Sequence, residues 1–477
     1  MISDFQPVIG LEVHAQLLTT SKLFSTAGTT FGAEPNTHTT PVCLGFPGAL
    51  PVLNARVVEL AIRTGLALEC RVNEKSEWSR KHYFYPDSPK GYQITQYEFP
   101  ICEWGGVTLE LAGKRVRIRR IHIEEDAGKS VHDAADGLTL VDLNRVGTPL
   151  LEIVSEPDLR SADEAVEYLK ILRDVLVSIG VNDGNLEEGS FRCDANVSVM
   201  RKGSEVYGTR CELKNLNSFR NIKLAIDTEI ARHVDVLEGG GTIAQETRLF
   251  DVNRGETRSM RSKEDAQDYR YFPEPDLPLL LVTPEEIARA KATLPELPQA
   301  KRRRYVEQLK LTEYDAGVLT AERGFSELFE RCQAAAGVEP KKVANWFIGE
   351  VSRLLNESGV KPGEVKFSPA QFAALLMAID AGTISQNAGK EVFGEMFHSG
   401  AEPAEVIARK GLAQVSDTGA LEKVIDELIA ANPPNVAAYR AGKVQVLGFF
   451  VGQVMKALKG KGNPKVINEL LEQKLKG

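Results

Sequence analysis

The chain has 477 residues, 43% of them hydrophobic and 26% charged, with a formal charge of −8. At roughly 150 residues per domain that length suggests about three domains, and the mixture excludes a disordered tail, a fibrous repeat and a disulfide-stapled miniprotein. The acidic balance offers nucleic acid no global attraction, so any RNA contact has to be a local basic site.

In chain order, the first pattern is VIGLEVHAQ, a strand with Ile9, Leu11 and Val13 on one side and Glu12 and His14 on the other. A carboxylate beside an imidazole is a good ligand pair for a divalent cation, although His is unusual for magnesium. The same spacing also suits a surface strand. Within Ser76–Gln96, Arg80 and Lys81 are interleaved with Tyr83, Phe84, Tyr85 and Tyr92. That combination suits phosphate contact and base stacking, or a surface loop with aromatic anchors. Arg115, Arg117 and Arg119 then alternate with Val116 and Ile118, a cationic strand face that runs into Glu124, Glu125 and Asp126. Three consecutive acids repel one another, so a cation or an arginine is expected to neutralise them. The GKS that follows is no P-loop, because Ile123 stands where that motif needs Gly. In Val141–Asp158, Glu152 shares a strand face with Leu150 and Val154. A Glu among aliphatic neighbours is seldom buried unpaired, which makes Glu152 a candidate metal ligand.

Ser161 and Glu164 read as a capping box that opens a helix with apolar residues from Ala165 to Ile179, closed by Gly180. SFRCDANVSV sets Phe191, Cys193, Ala195, Val197 and Val199 against Arg192, Asp194, Asn196 and Ser198. TRCELKN carries Arg210, Glu212 and Lys214 on one side. A hairpin of the two has a charged face, fit for ordinary cross-strand ion pairs or for cradling a nucleotide and its metal. The proline-rich stretch Phe272–Pro298 marks a boundary, after which helical patterns take over. Thr283 and Ser368 start helices with Glu286 and Gln371 at the third position, and HSGAEP at 398–403 interrupts the pattern again. At the end Lys459, Lys461, Lys465, Lys474 and Lys476 outnumber Glu469 and Glu472, a basic terminus able to contact RNA phosphates or a plain solvated helix. The expected architecture is α+β, with domains over 1–294, 295–400 and 401–477.

Cys43, Cys70, Cys102, Cys193, Cys211 and Cys332 are scattered without a C-x-x-C pair, as free thiols in a reducing compartment are. MISDFQPVIG has no secretory signal, and the apolar run Val444–Leu458 is too short to span a bilayer. The expectation is a cytoplasmic protein with neither membrane nor DNA as partner.

The segments GLEVHAQL, FGAEPNT, PGALPVLN, RKHYFYPDSPKGYQITQ, EEDAGKS, VDLNRVGTPLLEIVSEPD, RCDANVSV, ELKNLNSF and DYRYFPEPDLPLL cover the first 280 or so residues densely, with GFFVGQVMKALKGKGNP near the end. Together, and in this order, they resemble the B subunits of the aspartyl/glutamyl-tRNA amidotransferases. The resemblance implies a catalytic cradle of the glutamine synthetase type, then an all-α domain, then a small all-α tail that contacts tRNA. It implies ATP and Mg2+ as cofactors and an ATP-dependent carbon–nitrogen ligase with glutamine as amido donor. The side-chain carboxylate of glutamate mischarged on tRNA(Gln), or aspartate on tRNA(Asn), is phosphorylated, and ammonia then displaces phosphate. His14, Glu125 and Glu152 correspond to the family's catalytic metal ligands, with Glu12 and Glu124 as neighbours able to hold a second ion or its waters. Lys81, Tyr83 and Asp194 correspond to its nucleotide contacts.

Many relatives carry four zinc-binding cysteines around FGAEPNT. Here the matching positions are Ser25, Ala27, Thr40 and Cys43, and one thiol cannot build a four-ligand structural site, so no zinc is expected. No amidase Ser-Ser-Lys apparatus is visible. The resemblance therefore implies that ammonia comes from a partner amidase, the A subunit. A small C subunit would brace it against this chain in a heterotrimer. Two other readings stay open: a non-catalytic tRNA-binding scaffold of the same complex, and a metal-dependent hydrolase on the same His and Glu residues.

Overall fold

The computed structural model describes residues 4–135, 137–262, 269–414, 418–458 and 462–476. Lys459 and Lys461 of the basic terminus lie outside them. Contacts divide the chain into a unit over 1–297 and a unit over 298–477, and the architecture is α+β.

The first unit runs β1 (Phe5–Gln16), α1 (Ala55–Ala67), β2 (Arg71–Val72), β3 (Lys75–Ser76), β4 (Ser79–His82), β5 (Tyr92–Thr95) and β6 (Cys102–Thr108). It continues through β7 (Arg115–Glu125), β8 (Lys129–Ala135), β9 (Leu138–Asp142), β10 (Pro149–Ser155), α2 (Ala162–Ser178), β11 (Phe191–Arg201), β12 (Cys211–Lys214) and α3 (Phe219–Glu238). It ends with β13 (Glu246–Asp251), β14 (Glu256–Ser262), β15 (Phe272–Pro273), β16 (Leu280–Leu281) and α4 (Pro284–Ala292). Nine strands form one sheet in the order β14-β13-β12-β11-β1-β10-β7-β6-β2, antiparallel except for the β12–β13 pair. A three-stranded sheet, β15-β4-β5, stands beside it.

Alternation gives the large sheet two unlike faces. Leu11, Val13, Ile153, Ala195 and Leu213 are buried in one core with Leu60, Leu172 and Ile226 of the three long helices. The opposite face carries Glu12, His14, Glu152, Arg192 and Asp194. Side chains at Asn54, Ser161 and Ser218 accept from the first-turn amides of α1, α2 and α3. At α2 the expected capping box is only half formed: the Glu164 carboxylate accepts from the Arg160 amide instead of the Ser161 amide. The boxes at Thr283 and Ser368 are complete.

Strand β7 changes phase part-way along. Val154 pairs with Arg120 and Ser155 with Ile118, so Arg119 is an extra residue against β10, while across β6 Trp104 adopts a φ of 59°. This bulge moves the core positions from Val116 and Ile118 to Ile121 and Ile123, and swings Arg120, His122 and Glu124 onto the polar face.

The second unit is helical. Its first core spans Tyr305 to Ile407, with Phe329, Phe347, Phe372 and Phe393 fully buried and crossing nearly edge to face, for example at 5.7 Å and 76° for Phe372 and Phe393. The helix Pro403–Lys410 buries Val406 and Ile407 in this core. A separate small core of Leu421, Ile425, Phe450, Val454 and Leu471 holds the terminal helices.

Candidate active site

Strand register aligns four side chains in one row across the polar face. Arg192 on β11 pairs with His14 on β1, His14 with Glu152 on β10, and Glu152 with His122 on β7. Directly paired residues project to the same side, so the row is a property of the backbone. Glu124, two residues beyond His122, closes the group. His14 Nε2 lies 3.4 Å from Glu152 Oε2 and 3.7 Å from Glu124 Oε1. His122 Nε2 approaches the same carboxylates at 3.3 and 3.7 Å. Lys81 on β4 reaches in from the smaller sheet, 4.0 Å from Glu124 Oε2 and 5.0 Å from the centre of the Tyr269 ring.

The electrostatics follow from this crowding. Burial opposes charge on His14, but the hydrogen bond and charge of Glu152, with Glu124 and Asp194, raise it to about 9. Burial likewise opposes charge on Glu152, and the two histidines hold it well below the ordinary carboxylate range. At Glu124 the Lys81 and His122 charges outweigh burial and lower it. Glu12 behaves oppositely: burial raises it first, then the charges of Glu152, Glu212 and Asp194.

The structure brings together His14, Glu124 and Glu152, whose ligand atoms all lie within 4.8 Å of one another, and sets Lys81 beside them. Glu125 is not part of the group. Its carboxylate is engaged by Lys90 Nζ and accepts from the Ile94 amide at 3.0 Å. Asp126 is held by Arg192 at 3.0 Å and Gln16 at 2.9 Å. The three consecutive acids thus find three different cationic partners. Glu12 is one step along β1 and accepts from Asn196 at 2.9 Å. Asp194 pairs across the strands with Lys214 at 2.5 Å, and Tyr83 stacks on Tyr85 with ring centres 4.6 Å apart. Arg80 is structural, forked onto Glu274 at 2.7 and 2.9 Å. His122 escaped the sequence reading, although its spacing of two from Glu124 is the signal that finds it.

Two carboxylates and an imidazole fit a divalent cation: the oxygens suit a hard ion, and the nitrogen suits Mn2+ better than Mg2+. His122 fits as the residue that orients the ligating carboxylates, with its Nδ1 buried and unpaired. Two cavities flank the group. One of about 340 Å3 opens at Glu12 and Asn196 and is walled by Arg119, Arg120, Tyr207 and Arg210. The other, about 580 Å3, opens at Gln16, Arg192 and Asp194 and is walled by Thr29–Ala33 and Arg145.

Residues 7–288 match the family model of the GatB/GatE catalytic domain, and 327–475 that of the GatB domain. The chain belongs to the family of B subunits of the aspartyl/glutamyl-tRNA(Asn/Gln) amidotransferases. It is 65% identical over 476 residues to the B subunit of that enzyme from Myxococcus xanthus (strain DK1622), covering 99% of each. Its counterpart from Anaeromyxobacter sp. (strain K) is 61% identical over 480 residues, with 99% of each covered. The Geobacter sulfurreducens protein is 58% identical over 479, covering 99% of this chain and all of the other. The site residues all lie inside the catalytic-domain match. Among the described residues no helix is long and apolar enough to cross a membrane.

Proposed function

We propose that this chain is the phosphorylating component of a glutamine-dependent tRNA amidotransferase. The observation that carries the reading is the convergence of His14, Glu124 and Glu152 beside Lys81, on the polar sheet face between two cavities. The names of its relatives supply the substrate class and the membership of a larger complex.

The substrate is glutamate or aspartate esterified to the wrong tRNA. Its side-chain carboxylate is a poor electrophile, so it attacks the γ-phosphorus of ATP, the bond to ADP breaks, and an acyl phosphate results. Ammonia then attacks the acyl carbon and phosphate leaves. Such phosphoryl transfer is catalysed chiefly by positioning and by neutralising charge. His14, Glu124 and Glu152 would hold a Mg2+ ion, with Glu12 serving a second ion or its waters. Bound there, the metal supplies charge stabilisation for the phosphoryl oxygens. Lys81 adds a fixed positive charge, and Tyr83 borders it. The arginine-walled 340 Å3 cavity suits the nucleotide, with Tyr207 as a stacking surface, although Lys81, Tyr83 and Asp194, the nucleotide contacts that the resemblance implies, do not line it. The cavity at Asp194 and Arg192 suits the aminoacyl end.

The reading extends to the rest of the molecule. The sheet is a cradle of the glutamine synthetase type over 1–294, followed by a helical domain and a tRNA-contacting tail. No zinc is involved. Ammonia comes from the amidase, the A subunit, and a small C subunit makes the cytoplasmic assembly a heterotrimer. ADP release by the reconstituted complex, with glutamine withheld, tests the reading. ADP should form only when glutamate-charged tRNA(Gln) is present and should vanish in Glu152→Gln. Release that ignores both would leave a tRNA-binding scaffold.

A further inference from the structure

The cationic residues of β7 are not all used in the same way. Arg115 pairs with Glu69, and Arg117 forks onto Asp158 at 2.9 and 2.7 Å. Arg119 and Arg120 on the same strand, and Arg210 just before β12, are different: among the described residues no carboxylate pairs with any of the three. Yet all three wall one space, the 340 Å3 cavity that opens at Glu12.

Arg120 is the inner member of this set. Its Nε is buried without a hydrogen-bond partner. A buried guanidinium nitrogen with no acceptor is costly, so an acceptor is expected when the cavity is filled. The acid directly across from Arg120 on β6 is Glu103, but that carboxylate already serves Arg71 at 2.7 Å and Asn73 at 3.0 Å. The cavity wall itself carries two acids, Glu12 and Glu156, against the three arginines, and Glu12 accepts from Asn196 at 2.9 Å. The excess charge is positive.

Strand register relates this set to the proposed metal cluster. Arg120 pairs with Val154, Val154 with Glu12 and Glu12 with Asp194. This row runs beside the His122–Glu152–His14–Arg192 row, two residues away along each strand, or about 7 Å. The extra residue at Arg119 brings Arg120 onto this face and leaves two consecutive guanidinia at the cavity, which regular alternation cannot do. Tyr207 lies at the other end, where its neighbour Gly208 packs on Val199, a residue paired with Pro7.

We propose that Arg120, assisted by Arg119 and Arg210, holds the diphosphate of the nucleotide, the part that leaves as ADP. The assignment rests on the reading of this chain as an ATP-dependent phosphorylating subunit, and it gives the cavity a direction. The phosphate to be transferred points past Glu12 to the His14 row, and the base lies toward Tyr207. Planar guanidinium forks match phosphate oxygens in pairs. As the bond to the γ-phosphorus breaks, its electron pair stays with ADP, and Arg120 neutralises the charge that builds there. ADP is then held by the protein's own cations as well as by any metal.

The test measures ADP binding to the assembled complex by calorimetry, with Mg2+ and again in excess EDTA, and uses adenosine as the control probe. Wild type should bind ADP in both media. Arg120→Met should weaken ADP at least about tenfold in EDTA and leave adenosine unchanged. ADP binding that needs Mg2+, or that is equal in the variant, overturns the assignment while the phosphorylating role survives. Failure of wild type to bind ADP in either medium defeats that role and the assignment together. Should Arg120→Met not fold, Arg210→Met removes an exposed guanidinium from the same wall and should weaken ADP about threefold. Unchanged binding there also overturns the assignment.

Discussion

Two groups of three metal-ligating side chains meet the same geometric standard, His14–Glu124–Glu152 and Cys211–Glu229–His233, each with ligand atoms within 4.8 Å. Their surroundings differ. Glu229 accepts from Arg232 at 2.6 Å, Thr257 at 2.7 Å and His233 at 3.0 Å, with Arg248 at 3.4 Å. Two arginines already neutralise it, so a cation there would meet positive charge. The His14 group is itself largely buried, with Glu124 3% and Glu152 8% exposed, but an arginine-lined cavity lies to each side of it along β1, at Glu12 and at Gln16. Proximity of ligand types is common to both; what separates the proposed metal cluster from the ion-paired one is which charges surround it and whether cavities lie beside it.

That contrast can be broken experimentally. Replacing Glu229 with Ala leaves the half-buried Arg232 and Arg248 and the buried His233 without their shared carboxylate and should cost about 2–3 kcal/mol of stability, read by urea denaturation; a loss below about 1 kcal/mol would remove the structural role. Glu152→Gln should lower the denaturation midpoint, since against the effect of burial two histidines hold Glu152 well below its ordinary value, yet leave the protein folded in water while phosphorylation falls about a thousandfold, roughly 4 kcal/mol in the barrier. Near-normal ADP release in that variant would dismiss the cluster. Lys81→Met should cost about tenfold to a hundredfold, and a loss confined to KM would show that Lys81 only binds. Glu125→Gln should lower phosphorylation less than about tenfold, since its carboxylate serves Lys90 and the Ile94 amide; a deficit matching that of Glu152→Gln would reverse the assignment.

Acid sharpens the same contrast. Although burial pushes Glu229 up, hydrogen bonds from His233, Arg232 and Thr257 hold it well below its ordinary value of 4.5. A depressed folded value contributes stability that is present above the unfolded value and is lost as pH falls beneath it. Wild type should therefore lose stability below pH 4.5 more steeply than Glu229→Gln, as denaturation midpoints across that range would reveal.

Much of this was legible from residue order. The period-two faces of VIGLEVHAQ and SFRCDANVSV are the faces observed, because both strands run without a bulge from core to polar side. Glu152 between Leu150 and Val154 is indeed a buried, partnered carboxylate. The EEDAG acids were harder. Counting by twos from Arg115, Arg117 and Arg119 lands on Glu125, and only the extra residue at Arg119 moves the phase to Glu124. The bulge does leave a trace, the step of three from Ile118 to Ile121 in an otherwise alternating apolar pattern, and that step was not used in counting the acids. His122 was missed with it, and a contact such as Lys22–Cys43 because it joins residues 21 positions apart across a loop without periodicity.

The most direct test is a Mn2+ titration of the assembled complex, following the free ion by its paramagnetic resonance. Glu229→Gln should bind as many ions as wild type, and Glu124→Gln should bind one fewer. Full binding in Glu124→Gln, or a lost ion in Glu229→Gln, would contradict the division between a catalytic and a structural cluster.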